Sequence, residues 1–235
     1  MALGYARMRT YLLEVDFHAK RALHLYRWNQ SLSAAFWPLI SLTEVALRNA
    51  MDRQLGSWCE ENGGLRAWLL SPEELPEPIK TEFAGLLKTF IEKANDARNL
   101  RDSGMGLRRS PHPREGNPLT NDDVLAQITL GQWSHFVPGT SGFPDPTTYA
   151  RRVELWQIVA PAFPSVSDSA DLHFPMRRAQ LFRNRIAHHE PIFDMDLQRQ
   201  RNDLLAILGQ TSHSLREWYL GSDPLPATLA ADPRD

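Results

Sequence analysis

The sequence predicts an all-α protein, and three observations carry that prediction. Apolar residues recur at spacings of three and four through most of the chain, which is the helical period. The 17 prolines stand mostly between these periodic segments, as punctuation. No internal repeat is present, and no strand-like alternation runs longer than a few residues. The expected architecture is one helical bundle over residues 1–221 with a flexible tail at 222–235.

The first predicted helix covers Asp16 to Asn29, with Phe17, Ala22, Leu25, Tyr26 and Trp28 as its apolar set. A second runs from Ser33 to Trp58. The Ser33 hydroxyl can cap an orphan N–H of the first turn, and Pro38 is tolerable there only near that turn or as a kink. Phe36, Leu39, Leu42, Val45, Ala46, Met51 and Leu55 continue the pattern until Gly56 or Gly63-Gly64. Pro72 to Pro78 reads as a turn region. A third helix follows from Ile79 to Ala97, with Leu86, Leu87, Phe90, Ile91 and Ala94 on its apolar face. Residues 98–118 are poor in apolar residues and rich in Gly, Pro and Arg, so they read as a long exposed loop insertion. Thr120 to Asp123 forms a capping-box pattern that opens a fourth helix. A loop and a short helix at 148–159 come next. Pro175 then suits the first turn of a helix over 175–189, which Pro191 ends. A last helix covers 196–220.

With 235 residues the chain is long enough for one large domain or two small ones. Hydrophobic residues at 42% and charged residues at 23% argue against general disorder. The formal net charge of −2 means that any basic site must be local. One cysteine, Cys59, excludes an intramolecular disulfide and a multi-cysteine zinc site, and fits a reducing compartment. It has no His or basic residue at a diagnostic spacing, which argues against a thiol nucleophile. The longest apolar stretch, Leu32 to Leu47, contains Pro38 and Glu44 and falls short of the ~18–20 residues that a membrane span needs. The N-terminal residues lack the apolar segment and cleavage site of a signal peptide. The expected location is cytoplasmic, with no membrane partner.

The chemistry concentrates in residues 175–193. At about 100° per residue, Met176, Ala179, Phe182 and Ile186 fall on one stripe that should face the core. Asn184 and His188 lie one turn apart and almost opposite that stripe. Arg183 lies off its edge, about 140° from His188. An arginine and a histidine turned away from the core suit metal-independent RNA cleavage. Histidine titrates near neutrality and can move the ribose 2′-OH proton, while arginine can hold the developing phosphorane charge. The expected product is a 2′,3′-cyclic phosphate. A solvated basic face near a helix C-terminus explains the same residues without chemistry. A metal site at His188-His189-Glu190 is the third option. It is disfavoured because adjacent helical residues diverge by about 100°, so no metal and no cofactor is expected.

The string Arg183-Asn184-Arg185-Ile186-Ala187-His188-His189-Glu190-Pro191-Ile192-Phe193 resembles the signature of Abi-like abortive-infection proteins, within the HEPN superfamily. The run Ala22 to Ser33, containing Leu25-Tyr26-Arg27-Trp28-Asn29, and the run Leu42 to Ala50, containing Glu44-Val45-Ala46-Leu47-Arg48-Asn49, resemble other segments of that family. Leu130-Gly131-Gln132-Trp133 resembles its central G-x-W element. These blocks cover about residues 20–200, in the expected order. The resemblance implies a HEPN-like helical bundle acting as a dimeric, metal-independent endoribonuclease, a toxin or antiphage effector. It implies Arg183 and His188 as catalytic residues and Asn184 as the polar residue that positions them. His189 also belongs to the pattern, in a supporting place.

Glu44 and Arg48 stand at i, i+4, a surface ion pair on one reading. On the other, Glu44 orients Arg183 or His188, and Arg48 and Asn49 contact RNA. Arg185, and Arg108 and Arg109 in the 98–118 loop, complete the expected RNA contacts, since Arg binds phosphate independently of sequence. A solvated charged loop is the alternative there. The expected partners are RNA, a second copy of the chain and a protein or RNA antitoxin, with no DNA. A non-catalytic helical module binding RNA or a protein partner is the competing function.

Overall fold

The structure, a computed structural model, describes residues 3–103, 111–139 and 145–234. The fold is all-α, with no strand among the described residues. In chain order the helices are α1 (Tyr5–Glu14), α2 (Ala19–Glu61), α3 (Ile79–Asp102), α4 (Asn121–Leu125), α5 (Leu130–Trp133), α6 (Pro146–Val159), α7 (Ala170–Ala187), α8 (Leu197–Thr211), α9 (His213–Leu220) and α10 (Leu225–Leu229). Among the described residues no helix is long and apolar enough to cross a membrane.

The chain divides into two compact units where the sequence suggests one domain. The first comprises Met1–Leu47 with Phe174–Asp235, the second Arg48–His173. The boundaries fall inside α2 and inside α7. The physical reason lies in α2. A helix of 43 residues is about 65 Å long, more than one small core can bury, so its two parts have separate packing partners.

In the first unit α2 and α7 share an apolar seam. Met176, Ala179 and Phe182 are fully buried and Ile186 nearly so, as the wheel predicts, and Phe182 meets Phe36 edge-to-face at 4.7 Å. Pro38 does not end α2; Phe36, Leu39 and Ile40 bury on either side of it and hold the helix through the missing N–H. The predicted start at Asp16 is wrong. Asp16 and Phe17 take left-handed φ values of 50° and 61°, which excludes them from a helix, and α2 begins at Ala19. The sequence reading missed α1, whose Met8, Tyr11 and Leu12 are buried. Helix α7 begins five residues before the predicted Pro175, which its interior accommodates.

The predicted 196–220 helix is two helices. Ser212 takes an extended conformation, and its hydroxyl caps α9 by accepting from the Leu215 N–H. The tail is also structured rather than frayed. Leu225 of α10 is fully buried, and the Thr228 carbonyl accepts from Trp28 Nε1 at 2.8 Å. The Arg234 guanidinium lies 5.5 Å from the Trp28 and Phe193 ring centroids and is ion-paired to Glu14 and Asp232.

The second unit is built on aromatics. Phe83 contacts Trp68, Phe90, Trp133 and Phe136. The Thr120–Asp123 capping box forms as predicted at the start of α4. Arg114 docks on it with both terminal nitrogens on Asp123, at 2.9 and 2.7 Å. Burial alone would raise the Asp123 carboxyl; the bonds from Arg114 and Thr120 outweigh it and hold the group below its usual range. The 98–118 insertion is therefore not one exposed loop. Residues 98–102 belong to α3, where Arg101 bonds Asp102 and the Asn117 carbonyl, and Arg114 is tied down. Arg108 and Arg109 lie outside the described residues. At Gly139 a Cβ would come within 2.7 Å of the His173 ring, which would have to shift to admit any larger residue.

Asp203 on α8 is buried and takes two bonds from Arg178 on α7, at 2.5 and 2.8 Å. Arg178 is only partly buried and can turn to water when its partner is lost, so Asp203→Ala should destabilise the protein by about 1.5 kcal/mol. The measurement is urea unfolding, with Asp194→Ala, an exposed position, expected to change stability by under about 0.5 kcal/mol.

Candidate active site

The last turn of α7 carries Arg183, Asn184 and Arg185; His188 and His189 follow it immediately. The helical bond pattern reaches His188, whose N–H donates to the Asn184 carbonyl at 2.9 Å. The chain then stops the helix in a specific way. The His189 N–H bonds the Ile186 carbonyl at 3.0 Å, and the Glu190 N–H bonds the Arg185 carbonyl at 2.8 Å. With His189 at φ 56°, this is a Schellman ending in which histidine takes the left-handed place that glycine usually fills. The helix thus ends two residues before the predicted 189, and the two histidines sit in the turn that closes it. Both are exposed.

Arg183 is not simply solvent-facing. Its side chain is about one-third exposed, and its Nε lies 3.7 Å from Glu44 Oε2 on α2. This separation exceeds hydrogen-bond reach, and the buried Nε has no hydrogen-bond partner. An ion pair at this exposure contributes under about 1 kcal/mol, so it orients the guanidinium more than it stabilises the fold. The sequence reading that placed Glu44 next to Arg183 or His188 is met at Arg183. Asn184 is half-buried, between Arg183 and the His188 turn.

Arg185, expected to bind RNA, is occupied in the protein itself. Its Nη2 donates to the Pro191 carbonyl at 2.7 Å, and its Nε lies 3.6 Å from Glu190. Arg7 Nη1 donates to the His189 carbonyl at 3.0 Å, and the Ile192 N–H donates to Asn29 Oδ1 at 2.8 Å. The terminal turn is therefore held from α1, α2 and α7. Nothing in the sequence flagged Arg7. The signal for Asn29 was available: a polar residue among the buried Leu25, Trp28 and Leu32.

Glu44, Arg183, Asn184, His188 and His189 all belong to the first unit, where Arg183 meets Glu44. Arg48 and Asn49 belong to the second; both are half-buried, and Arg48 Nε is buried without a hydrogen-bond partner. Among the described residues no group of three or more His, Cys, Asp or Glu converges as metal ligands would. The Cys59 thiol is buried, and burial pushes it up to about 11, far from the range of a reactive thiolate.

No protein family, curated protein or solved structure matches the chain.

The Schellman geometry makes a distinction at residue 189. His189→Gly should leave the turn intact and raise stability by about 0.5–1 kcal/mol, because glycine takes positive φ without a Cβ penalty. His189→Val should lower it by more than about 1 kcal/mol, because a branched Cβ is least tolerated there. Thermal unfolding of the two variants against the parent chain checks the pair.

Proposed function

We propose that the chain is a metal-independent endoribonuclease of the HEPN type, with Arg183 and His188 as catalytic residues, acting as a toxin or antiphage effector. The observation that carries the reading is the pairing of two features. A guanidinium about one-third exposed is ion-paired to Glu44, and an exposed histidine sits on the turn that ends the same helix. The effector role rests on the resemblance of the sequence blocks around Trp28, Glu44 and Arg183.

The chemistry needs a base and an acid. One neutral imidazole takes the proton of the ribose 2′-OH as the oxygen attacks phosphorus. A protonated imidazole gives its proton to the departing 5′-oxygen as the P–O5′ bond breaks. Arg183 faces the charge on the equatorial phosphoryl oxygens. The products are a 2′,3′-cyclic phosphate and a 5′-hydroxyl. No redox partner is required.

A homodimer supplies the second His188. Phe174 and Leu181 are 41% and 54% exposed, and with His188 they stand seven residues apart along α7. Heptad spacing drifts only about 20° per repeat, so the three residues share one stripe. An exposed apolar stripe ending at the histidine supports a two-fold α7–α7 contact that brings the two His188 side chains to one cleft.

Arg183→Ala and His188→Ala should each lower RNA cleavage by about 10²–10⁴-fold with the melting temperature nearly unchanged, since neither side chain fills the core. Activity should persist in EDTA. Leu181→Glu should dissociate the dimer and abolish cleavage together. Full activity in a species that sediments as a monomer would overturn the shared cleft, loss in EDTA restored by a divalent ion would overturn the metal-independent chemistry, and a chain that cleaves no RNA would belong to the class of non-catalytic helical binding modules.

A further inference from the structure

We infer that Asn29 is the positioning residue that sets His188, acting through the backbone of the turn between them; the inference rests on the nuclease reading for its catalytic consequence, though not for its structural one. Asn29 lies on α2 and is fully buried. A carboxamide in an apolar surrounding is unfavourable unless its polar atoms are engaged. What Asn29 engages is a single backbone group, the Ile192 N–H, 163 residues away in sequence and 2.8 Å from its Oδ1. Its Nδ2 lies near the Tyr11 hydroxyl without completing a hydrogen bond. The side chain is therefore an acceptor dedicated to one donor.

That donor is four residues beyond His188, and the path between them is stiff. His189 is fixed in the left-handed region by the two Schellman bonds. Pro191 has its φ locked by its ring. The Pro191 carbonyl is held by Arg185 and the His189 carbonyl by Arg7. Displacing residue 192 therefore carries back to residue 188 with little slack. Of the three side-chain bonds that hold the turn, those from Arg7 and Arg185 involve exposed or half-exposed groups in competition with water. The Asn29 bond is the one wholly buried, and the one that leaves an unsatisfied N–H in the interior when it is lost. The catalytic consequence is geometric. A displacement of about 1 Å at a general acid–base group can lower the rate by about 10²-fold without affecting substrate affinity.

Three variants test this. Asn29→Leu keeps the volume and removes the acceptor. Asn29→Ser removes its reach without overpacking. Asn29→Asp keeps an oxygen where Ile192 needs it. The expected result is that Leu and Ser lower kcat by tenfold or more while KM for a model RNA stays within about twofold, and that Asp retains kcat within about threefold. In parallel, the His188 imidazole Cε1–H signal in NMR should shift or broaden in the Leu and Ser variants and stay in place in Asp, and the Ile192 amide should lose its exchange protection. The Ser variant carries the test where Leu does not fold. A parent chain that cleaves no RNA sinks the nuclease reading while the NMR arms still decide the role of Asn29. An unmoved His188 signal in Asn29→Ser, or an Asp variant as impaired as Ser, would overturn the inference.

Discussion

The packing of α7 against α2 through Phe182 and Phe36 is the constraint on which the site depends. Once Met176, Ala179, Phe182 and Ile186 are buried, α7 has no rotational freedom left. Every other side chain on the helix then has its direction assigned. Arg183 reaches Glu44, Arg178 reaches Asp203, and Phe174, Leu181 and His188 face outward. The apolar stripe does the energetic work, at about 25 cal/mol per Å² of apolar surface removed from water. The polar residues are carried into place by it.

The end of the helix is a second constraint of a different kind. A helix C-terminus leaves carbonyls without partners, and here they are satisfied by the chain turning back on itself through a left-handed His189. This places His188 at the last position still directed by the helix, while the next residue departs from it. The turn is then stitched from outside by Arg7, Arg185 and Asn29. Arg185 shows how a basic residue in a motif can serve the backbone in place of a ligand.

The helical class, the core stripe of α7, the capping box at Thr120 and the proximity of Glu44 to Arg183 were legible in the sequence. They depend on period, local cap chemistry or a short list of polar residues on apolar helices. The division of α2 between two units was not legible, because the hydrophobic period continues across the boundary at Leu47–Arg48. The break at Ser212 was hidden for a similar reason, since the apolar period carries on through it and only a serine marks the cap. The role of Arg114 depends on a carboxylate nine residues along the chain and the left-handed His189 on a reversal of direction, and neither is a property of local pattern. The C-terminal residues looked polar and proline-rich, yet Leu225 is fully buried, Thr228 meets Trp28, and Arg234 finds Trp28, Phe193 and Glu14, far away in sequence.

In the proposed chemistry His188 acts on a ribose 2′-OH beside Arg183. The most direct measurement uses a short RNA in which the nucleotide 5′ to a mapped cleavage position carries 2′-deoxyribose, with the ends of the products identified by mass spectrometry. The all-ribose strand should yield a 2′,3′-cyclic phosphate and a 5′-hydroxyl, and the single deoxy substitution should abolish cleavage at that linkage alone. Cleavage of the deoxy-substituted linkage, or a product bearing a 5′-phosphate, would contradict that chemistry.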